Sequence, residues 1–164
     1  MKTIQLVALL IIFLVTISDA QSIQSGIAVT AVTPVGNFSN AVGTGYGGVF
    51  MAKLGLPLLD VTGSVEYLSF SEKETGNLKL SSTMWGINAG ARLGVFLFIS
   101  VGAEIGNYWV TVKTDDGTNQ IDNTENKISF TPLISAQISM FEGSIRYSII
   151  EDARFFSIRA GIYF

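Results

Sequence analysis

The chain ends Arg154-Phe155-Phe156-Ser157-Ile158-Arg159-Ala160-Gly161-Ile162-Tyr163-Phe164, and the reading of this stretch decides the fold. From Phe156 onward the even positions hold Phe156, Ile158, Ala160, Ile162 and Phe164, and the odd ones Ser157, Arg159, Gly161 and Tyr163. A strict period of two is the signature of a β-strand with one oily and one polar face. One such strand has nothing to bury itself against, so the rest of the chain must supply partners.

Seven further stretches alternate in the same way. In residues 23–33, Ile23, Ile27, Val29 and Ala31 oppose Gln24, Gly26, Ala28 and Thr30, and in residues 45–55, Tyr46, Phe50 and Leu54 oppose Gly45, Gly47 and Lys53. The third strand, residues 59–70, sets Val61, Val65 and Tyr67 against Asp60, Ser64 and Glu66. The fourth runs to Arg92, with Trp85, Ile87 and Ala89 opposite Gly86, Asn88 and Arg92, and the fifth sets Val101, Ile105 and Trp109 against Gly102, Glu104 and Tyr108. Residues 128–138 form the sixth, locally weak or bulged where Pro132 cannot donate to the ladder, and Ile145, Tyr147 and Ile149 oppose Arg146 and Ser148 in the seventh. Short turns are expected at Pro57, at residues 93–95 and at residues 140–143, and longer or more charged loops near Pro34, over 72–77, over 113–126 and near Glu151. The pattern is eight strands joined alternately by long and short connections, with both termini at the short-turn end.

Of 164 residues, 48% are hydrophobic and only 14% charged, with a mean hydropathy of +0.45. Part of the excess follows Lys2, where an apolar run over residues 6–17 precedes Ser18-Asp19-Ala20. That run is short for a spanning helix, so residues 1–20 read as a secretory signal peptide cleaved after Ala20, with an uncleaved anchor as the alternative. The chain has no cysteine, which leaves no disulfide framework and no lipid-accepting thiol. A net charge of -3 without a basic patch argues against a nucleic-acid partner.

Charge and residue size say which face is inside. Lys53, Asp60, Glu66, Arg92, Glu104, Arg146 and Arg159 all fall on the polar faces, among Gly26, Gly45, Gly47, Gly86, Gly90, Gly102, Gly106 and Gly161. Water places no limit on side-chain size, whereas the interior of an eight-stranded barrel is barely wide enough for its side chains. The crowded polar face is therefore the inner one. The apolar faces then point outward into hydrocarbon, where only helices and closed barrels leave no backbone group unpaired. Trp109 and Phe130 near the long loops, and Phe141 and Phe164 at the other end, fit two aromatic girdles. The expected fold is all-β: an eight-stranded antiparallel up-and-down transmembrane β-barrel over residues 21–164.

The closing strand with its terminal Phe164 resembles that of bacterial outer-membrane β-barrels. The stretches Val32-Thr33-Pro34-Val35-Gly36-Asn37-Phe38-Ser39 and Gly43-Thr44-Gly45-Tyr46-Gly47-Gly48-Val49-Phe50 resemble the opening hairpin of the small OmpX-like and OmpA-like barrels. The OmpA type is matched only in its barrel half, since no peptidoglycan-binding domain follows. The resemblance implies outer-membrane lipid as surroundings, the barrel-assembly machinery as a partner that reads Phe164, and a structural or surface-interaction role such as adhesion or envelope integrity.

The absence of histidine removes Ser-His-Asp triads, His metal sites and the His-dependent lipid-modifying barrels of similar size. No enzyme activity, cofactor or metal is expected. Asp115, Asp116, Asp122 and Asn123 have oxygen ligands for calcium but no EF-hand spacing, and a solvated loop explains them better. Lys53 and Asp60 read as a cross-strand pair. Glu66, Arg92, Glu104, Arg146 and Arg159 read as an internal salt-bridge network that fills a polar lumen in a monomeric barrel. A small channel or a transporter for apolar molecules is the alternative; the latter needs a hydrophobic lumen. Deletion of Phe164 is expected to abolish the heat-modifiable, membrane-assembled form while leaving export intact, as gel mobility of the fractionated protein would reveal.

Overall fold

The computed structural model describes residues 22–75, 78–115, 120–151 and 153–164. The expected signal segment and its cleavage at Ala20 lie outside these residues, as do the side chains on which the calcium reading of Asp115, Asp116 and Asp122 rests.

The strands are β1 (Ser22–Val35), β2 (Gly45–Gly55), β3 (Asp60–Thr75), β4 (Leu78–Phe96), β5 (Ile99–Asp115), β6 (Gln120–Ile138), β7 (Phe141–Ile150) and β8 (Ala153–Tyr163), with one helical turn, α1 (Phe38–Ala41), between β1 and β2. Each strand pairs antiparallel with its neighbour in sequence, and β8 returns to β1 to close the barrel. Closure runs from Gly26 opposite Tyr163 to Val35 opposite Arg154, and Phe164 exchanges both backbone bonds with Ser25, at 2.7 and 3.2 Å.

The alternation becomes two faces as expected. In β8, Phe156, Ile158 and Ala160 are exposed while Phe155, Ser157, Arg159 and Tyr163 are buried. The same holds around the barrel: Ile27, Phe50, Val65, Ile87, Ile105, Ile134 and Ile145 lie outside. Aromatic side chains ring the outer face at two levels. Tyr67 stacks on Trp85 at 4.9 Å and Tyr147 on Phe156 at 4.6 Å toward the upper end, and Phe96, Phe98, Phe141 and Phe164 lie at the lower end. Among the described residues, no outward side chain between the two levels is charged. At about 3.3 Å per residue and a tilt of about 40°, the run from Ile99 to Trp109 rises about 25 Å, the height of a bilayer-spanning apolar band.

Several connections differ from expectation. Residues 93–95 do not turn: β4 continues to Phe96, and the glycine at 94 marks only an irregularity in register, so the reversal falls at Leu97 and Phe98. The turn expected at 140–143 closes earlier, at Ser139 and Met140, with Ser139 at φ 56°. Glu151 belongs to a short connection, since Ile150 already pairs with Ala153. The stretch 113–126, expected as a loop, is mostly a hairpin: Asp115 pairs with Gln120, and the Thr111 and Thr124 hydroxyls meet at 2.9 Å. Likewise β3 and β4 stay paired up to Thr75 and Leu78. Long and short connections therefore become tall and low hairpins, and β3 to β6 rise above the rest of the barrel.

The two prolines in strands sit where they do least harm. Pro34 lies beyond Val32, where pairing of β1 with β2 ends, so its missing N–H deprives no ladder there. Pro132 pairs with Ala103 on one side, but the β6–β7 ladder skips from Phe130–Ile149 to Leu133–Arg146. The Thr131 hydroxyl donates to Ser148 Oγ at 3.0 Å across that gap. Pro132→Val, which restores a donor toward Tyr147, is expected to stabilise the barrel by about 1 kcal/mol in urea unfolding; unchanged stability would show the gap has another origin.

Candidate functional site

The closed sheet aims the inward residues of all eight strands at one axis, and these residues fill the lumen in layers. The middle layer is ionic. Arg146 on β7 clasps Glu104 on β5 through both nitrogens, at 2.6 and 3.1 Å, and Arg159 on β8 reaches Glu66 on β3 at 2.5 Å. Arg92 on β4 bridges Glu104 at 3.3 Å and Glu142 at 2.7 Å. Glu66 also accepts from the Tyr108 hydroxyl and from Asn88 Nδ2 at 3.1 Å. All of these side chains are buried. The structure thus places Glu66, Arg92, Glu104, Arg146 and Arg159 in one layer as two bonded groups, Arg159–Glu66 with Tyr108 and Asn88, and Arg146–Glu104–Arg92 with Glu142.

Three members escape the sequence reading. The alternation puts Glu142 in a turn; once the reversal moves to Ser139 and Met140, it becomes an inward residue of β7, the second partner of Arg92. Tyr108 and Asn88 read as inward without a role, and the signal that could have found them is the acceptor capacity Glu66 has left after Arg159. Lys53 and Asp60 do not face each other: Lys53 pairs with Thr62 and Asp60 with Gly55. Lys53 Nζ instead donates to Gln137 Oε1 and lies 4.8 Å from the centre of the Tyr163 ring.

Glycine makes room for these long side chains. On the inner wall of β4 and β5, Gly86, Gly90, Gly102 and Gly106 alternate with Asn88, Arg92, Glu104 and Tyr108. A Cβ at Gly86 would run into the Tyr108 ring, and one at Gly90 into the Glu104 side chain. Serines serve the opposite wall, where Ser144 lies opposite Arg159, and Ser157 opposite Arg146.

Above the ionic layer the lumen is mainly apolar, with the buried Ser82, Ser129 and Ser148 opposite Phe70, Ile150 and Phe155, which corrects the expectation of a polar interior throughout. Val32, Leu68, Phe70, Met84, Val110, Ile150 and Phe155 form a buried apolar cluster there, and Phe38 and Ala41 of α1 pack onto it. Its residues sit on the same inward faces as the polar ones, nearer the upper strand ends, and Val32, Leu68, Phe70 and Phe155 fall within stretches the sequence reading took as strands with polar inner faces. Phe38 meets Phe70 edge-on at 5.2 Å, and Phe70 meets Phe155 at 6.0 Å. A bulge after Phe70 turns Lys73 toward the connection, where its Nζ donates to the Ser39 carbonyl at 2.5 Å.

On the raised β5–β6 hairpin Asn123, Thr124, Glu125 and Asn126 are exposed. Lys127 lies 3.0 Å from Glu125 and 3.6 Å from Glu151, and its hydrogen bond holds the Glu125 carboxyl below the ordinary carboxylate range. Among the described residues, no cluster of acidic groups could hold a metal ion.

The fold these features define is that of the small eight-stranded outer-membrane β-barrels. The chain superposes on Ail, the attachment invasion locus protein of Yersinia pestis, with a TM-score of 0.61 at 14% identity, covering 87% of this chain and 96% of that one. Neisserial surface protein A is similar with a TM-score of 0.57 at 11% identity, covering 88% and 98%. A major outer membrane protein of Thermus thermophilus gives 0.51 at 9% identity, covering 87% and 100%. No protein-family model and no curated relative matches the sequence.

Glu104→Ala would leave the Arg146 guanidinium and one arm of Arg92 buried without their carboxylate. It is expected to cost about 3 to 5 kcal/mol in urea unfolding of the folded barrel. Unchanged stability would mean that water already solvates these arginines.

Proposed function

We propose that this chain is an exported, monomeric, non-catalytic outer-membrane protein that presents the raised β3–β6 wall as an interaction surface. The observation that carries this reading is the juxtaposition of a charge-free apolar belt with polar hairpins standing above it. Exposed apolar area of this extent calls for a nonpolar surrounding. Side chains such as Ile105 at 65% exposure and Ile158 at 64% would otherwise face water. The hairpins have no such belt and belong in solvent. Phe164, whose backbone completes the β1–β8 seam, is well placed for the assembly machinery to read.

The wall also has a free edge. Among the described residues, pairing of β6 with β7 begins at Ser129 and Ile150, and the backbone of residues 120–126 is paired with β5 but with no β7 residue on its other side. An open strand edge can accept an extended segment of another protein by strand addition. Neisserial surface protein A and Ail are named for the surface and for attachment and invasion, and their fold supports a surface role here. The ionic layer supports a lumen closed to ions rather than a pore, and a steady large conductance in planar bilayers would overturn that part.

Because the chain has no cysteine, single cysteines report topology directly. Thr124→Cys is expected to react with a membrane-impermeant maleimide on intact cells and Leu58→Cys only after the envelope is opened. The reverse pattern would invert the barrel, and labelling of neither with recovery in the soluble fraction would exclude the membrane. Cells displaying the native protein are expected to retain more of an unstructured polypeptide such as casein than cells whose protein lacks residues 114–121. Equal retention would remove the wall from the interaction.

A further inference from the structure

The apolar upper layer is a cup closed by the chain itself. Its walls are Val32, Leu68, Phe70, Met84, Val110 and Phe155, all buried, and its floor is the ionic layer carrying Glu66 and Tyr108. Its cover is α1, a helix of four residues with no buried residue and no side-chain cap. So short a helix has no stability of its own and holds its place through what it touches. Those contacts are the half-buried Phe38 ring against Phe70, Ala41 against the same cluster, and the bond from exposed Lys73 to the Ser39 carbonyl, while Val42, which follows the helix, is buried in the cluster and anchors the connection there. On the far side of the helix the chain is fixed, since Gly43 and Thr44 bond to Ser71 at 3.0 and 2.9 Å, and on the near side Gly36 takes φ 63°. The Phe38 ring can therefore leave the cup while the connection stays attached to the barrel.

We infer that the upper lumen is a binding site for a small apolar ring, that is, for an aromatic or compact aliphatic group of about phenyl size, and that Phe38 occupies it in the unliganded protein. Three features point to this chemistry. The wall side chains that meet Phe38 present no charged group to an entering ligand, so a polar solute would lose its hydration without replacement. The group already seated there is a phenyl ring in edge-to-face contact with another, which gives the size and the favoured geometry of a replacement. Beneath the cup the arginine–glutamate layer blocks the way, so the site takes a ligand from its mouth and returns it there. The inference goes beyond the surface-interaction reading and does not depend on it, because a binding cup needs neither a partner protein nor a strand edge.

Displacement of Phe38 lowers the apparent affinity of the wild type by the fraction of time the cup is open. Three methionines report separately: Met84 lines the cup, Met51 belongs to a lower cluster with Ala28, Val49 and Tyr163, and Met140 is exposed on the turn after β6. The test is a toluene titration of methyl-labelled methionine in the barrel folded in lipid nanodiscs, followed by NMR. The Met84 signal is expected to shift and saturate, the Met51 signal to stay, and the Met140 signal to drift in proportion to toluene dissolved in the lipid. Phe38→Ala, which empties the cup, is expected to bind toluene about tenfold more tightly. Lys73→Ala loosens the cover without touching the cup and is expected to tighten binding by a smaller factor. A Met84 signal that tracks Met140 in all three proteins, or equal affinity in wild type and Phe38→Ala, would overturn the inference.

Discussion

Every peptide N–H and C=O at the level of the apolar belt must find its partner inside the sheet, because the side chains around it leave no water to take one. This constraint forces β8 back onto β1, and the rest of the architecture follows from it. An up-and-down barrel that closes antiparallel needs an even number of strands, which brings both described ends of the chain to the same rim. The one donor missing within the belt, at Pro132, falls where Thr131 and Ser148 can bond through their hydroxyls on the inner side.

Closure at eight strands sets the second constraint, that of space. The inner faces cannot all carry large residues, and the sheet answers with a checkerboard. Gly86 and Gly106 flank Asn88 on β4 and β5, so that Tyr108 can lie over the first and Asn88 over the second. The arginines of β7 and β8 stand among serines and reach across to carboxylates on β3 and β5. Pairs that cross the lumen join walls far apart around the ring, which neighbouring ladder bonds cannot do. Removal of one partner is therefore costlier than removal of both, since the charge left behind has neither water nor a counter-ion.

Much of this was legible in the sequence, and the part that was not has a common cause. Alternation is visible where one face of a strand is buried and the other is not, and there every face was assigned as found: Phe156 and Ile158 outside, Arg159 and Glu104 inside. Above the belt Asn123, Thr124, Glu125 and Asn126 are all exposed whichever face they lie on, so residues 113–126 lose the period of two and read as a loop although 113–115 and 120–126 pair residue by residue with the neighbouring strand. Glycine misleads at the lower rim, where Gly94 suggests a turn though the strand only shifts register, and the reversal after β6 comes a few residues earlier than expected. That shift of a few residues decides sites as well as boundaries: it hid Glu142 as a partner of Arg92. The apolar cup was missed for a different reason, because its members lie on inward faces assumed to be polar throughout, and only their heights in the barrel separate them from Glu66 and Arg159.

Stacking these layers in one narrow lumen gives it two barriers of opposite chemistry. The arginine–glutamate layer resists an apolar molecule, which could pass only by parting buried charges. The apolar cluster beneath Phe38 resists an ion or a hydrated solute, which would have to shed water without compensation. Either layer alone would leave one class of solute a path with a single kind of interaction to overcome. In series they oppose both, and only the upper one is capped by a segment as short as α1. The charged layer thus braces the barrel through its belt, while the short segment α1 and the raised wall of β3 to β6 stand together at one mouth.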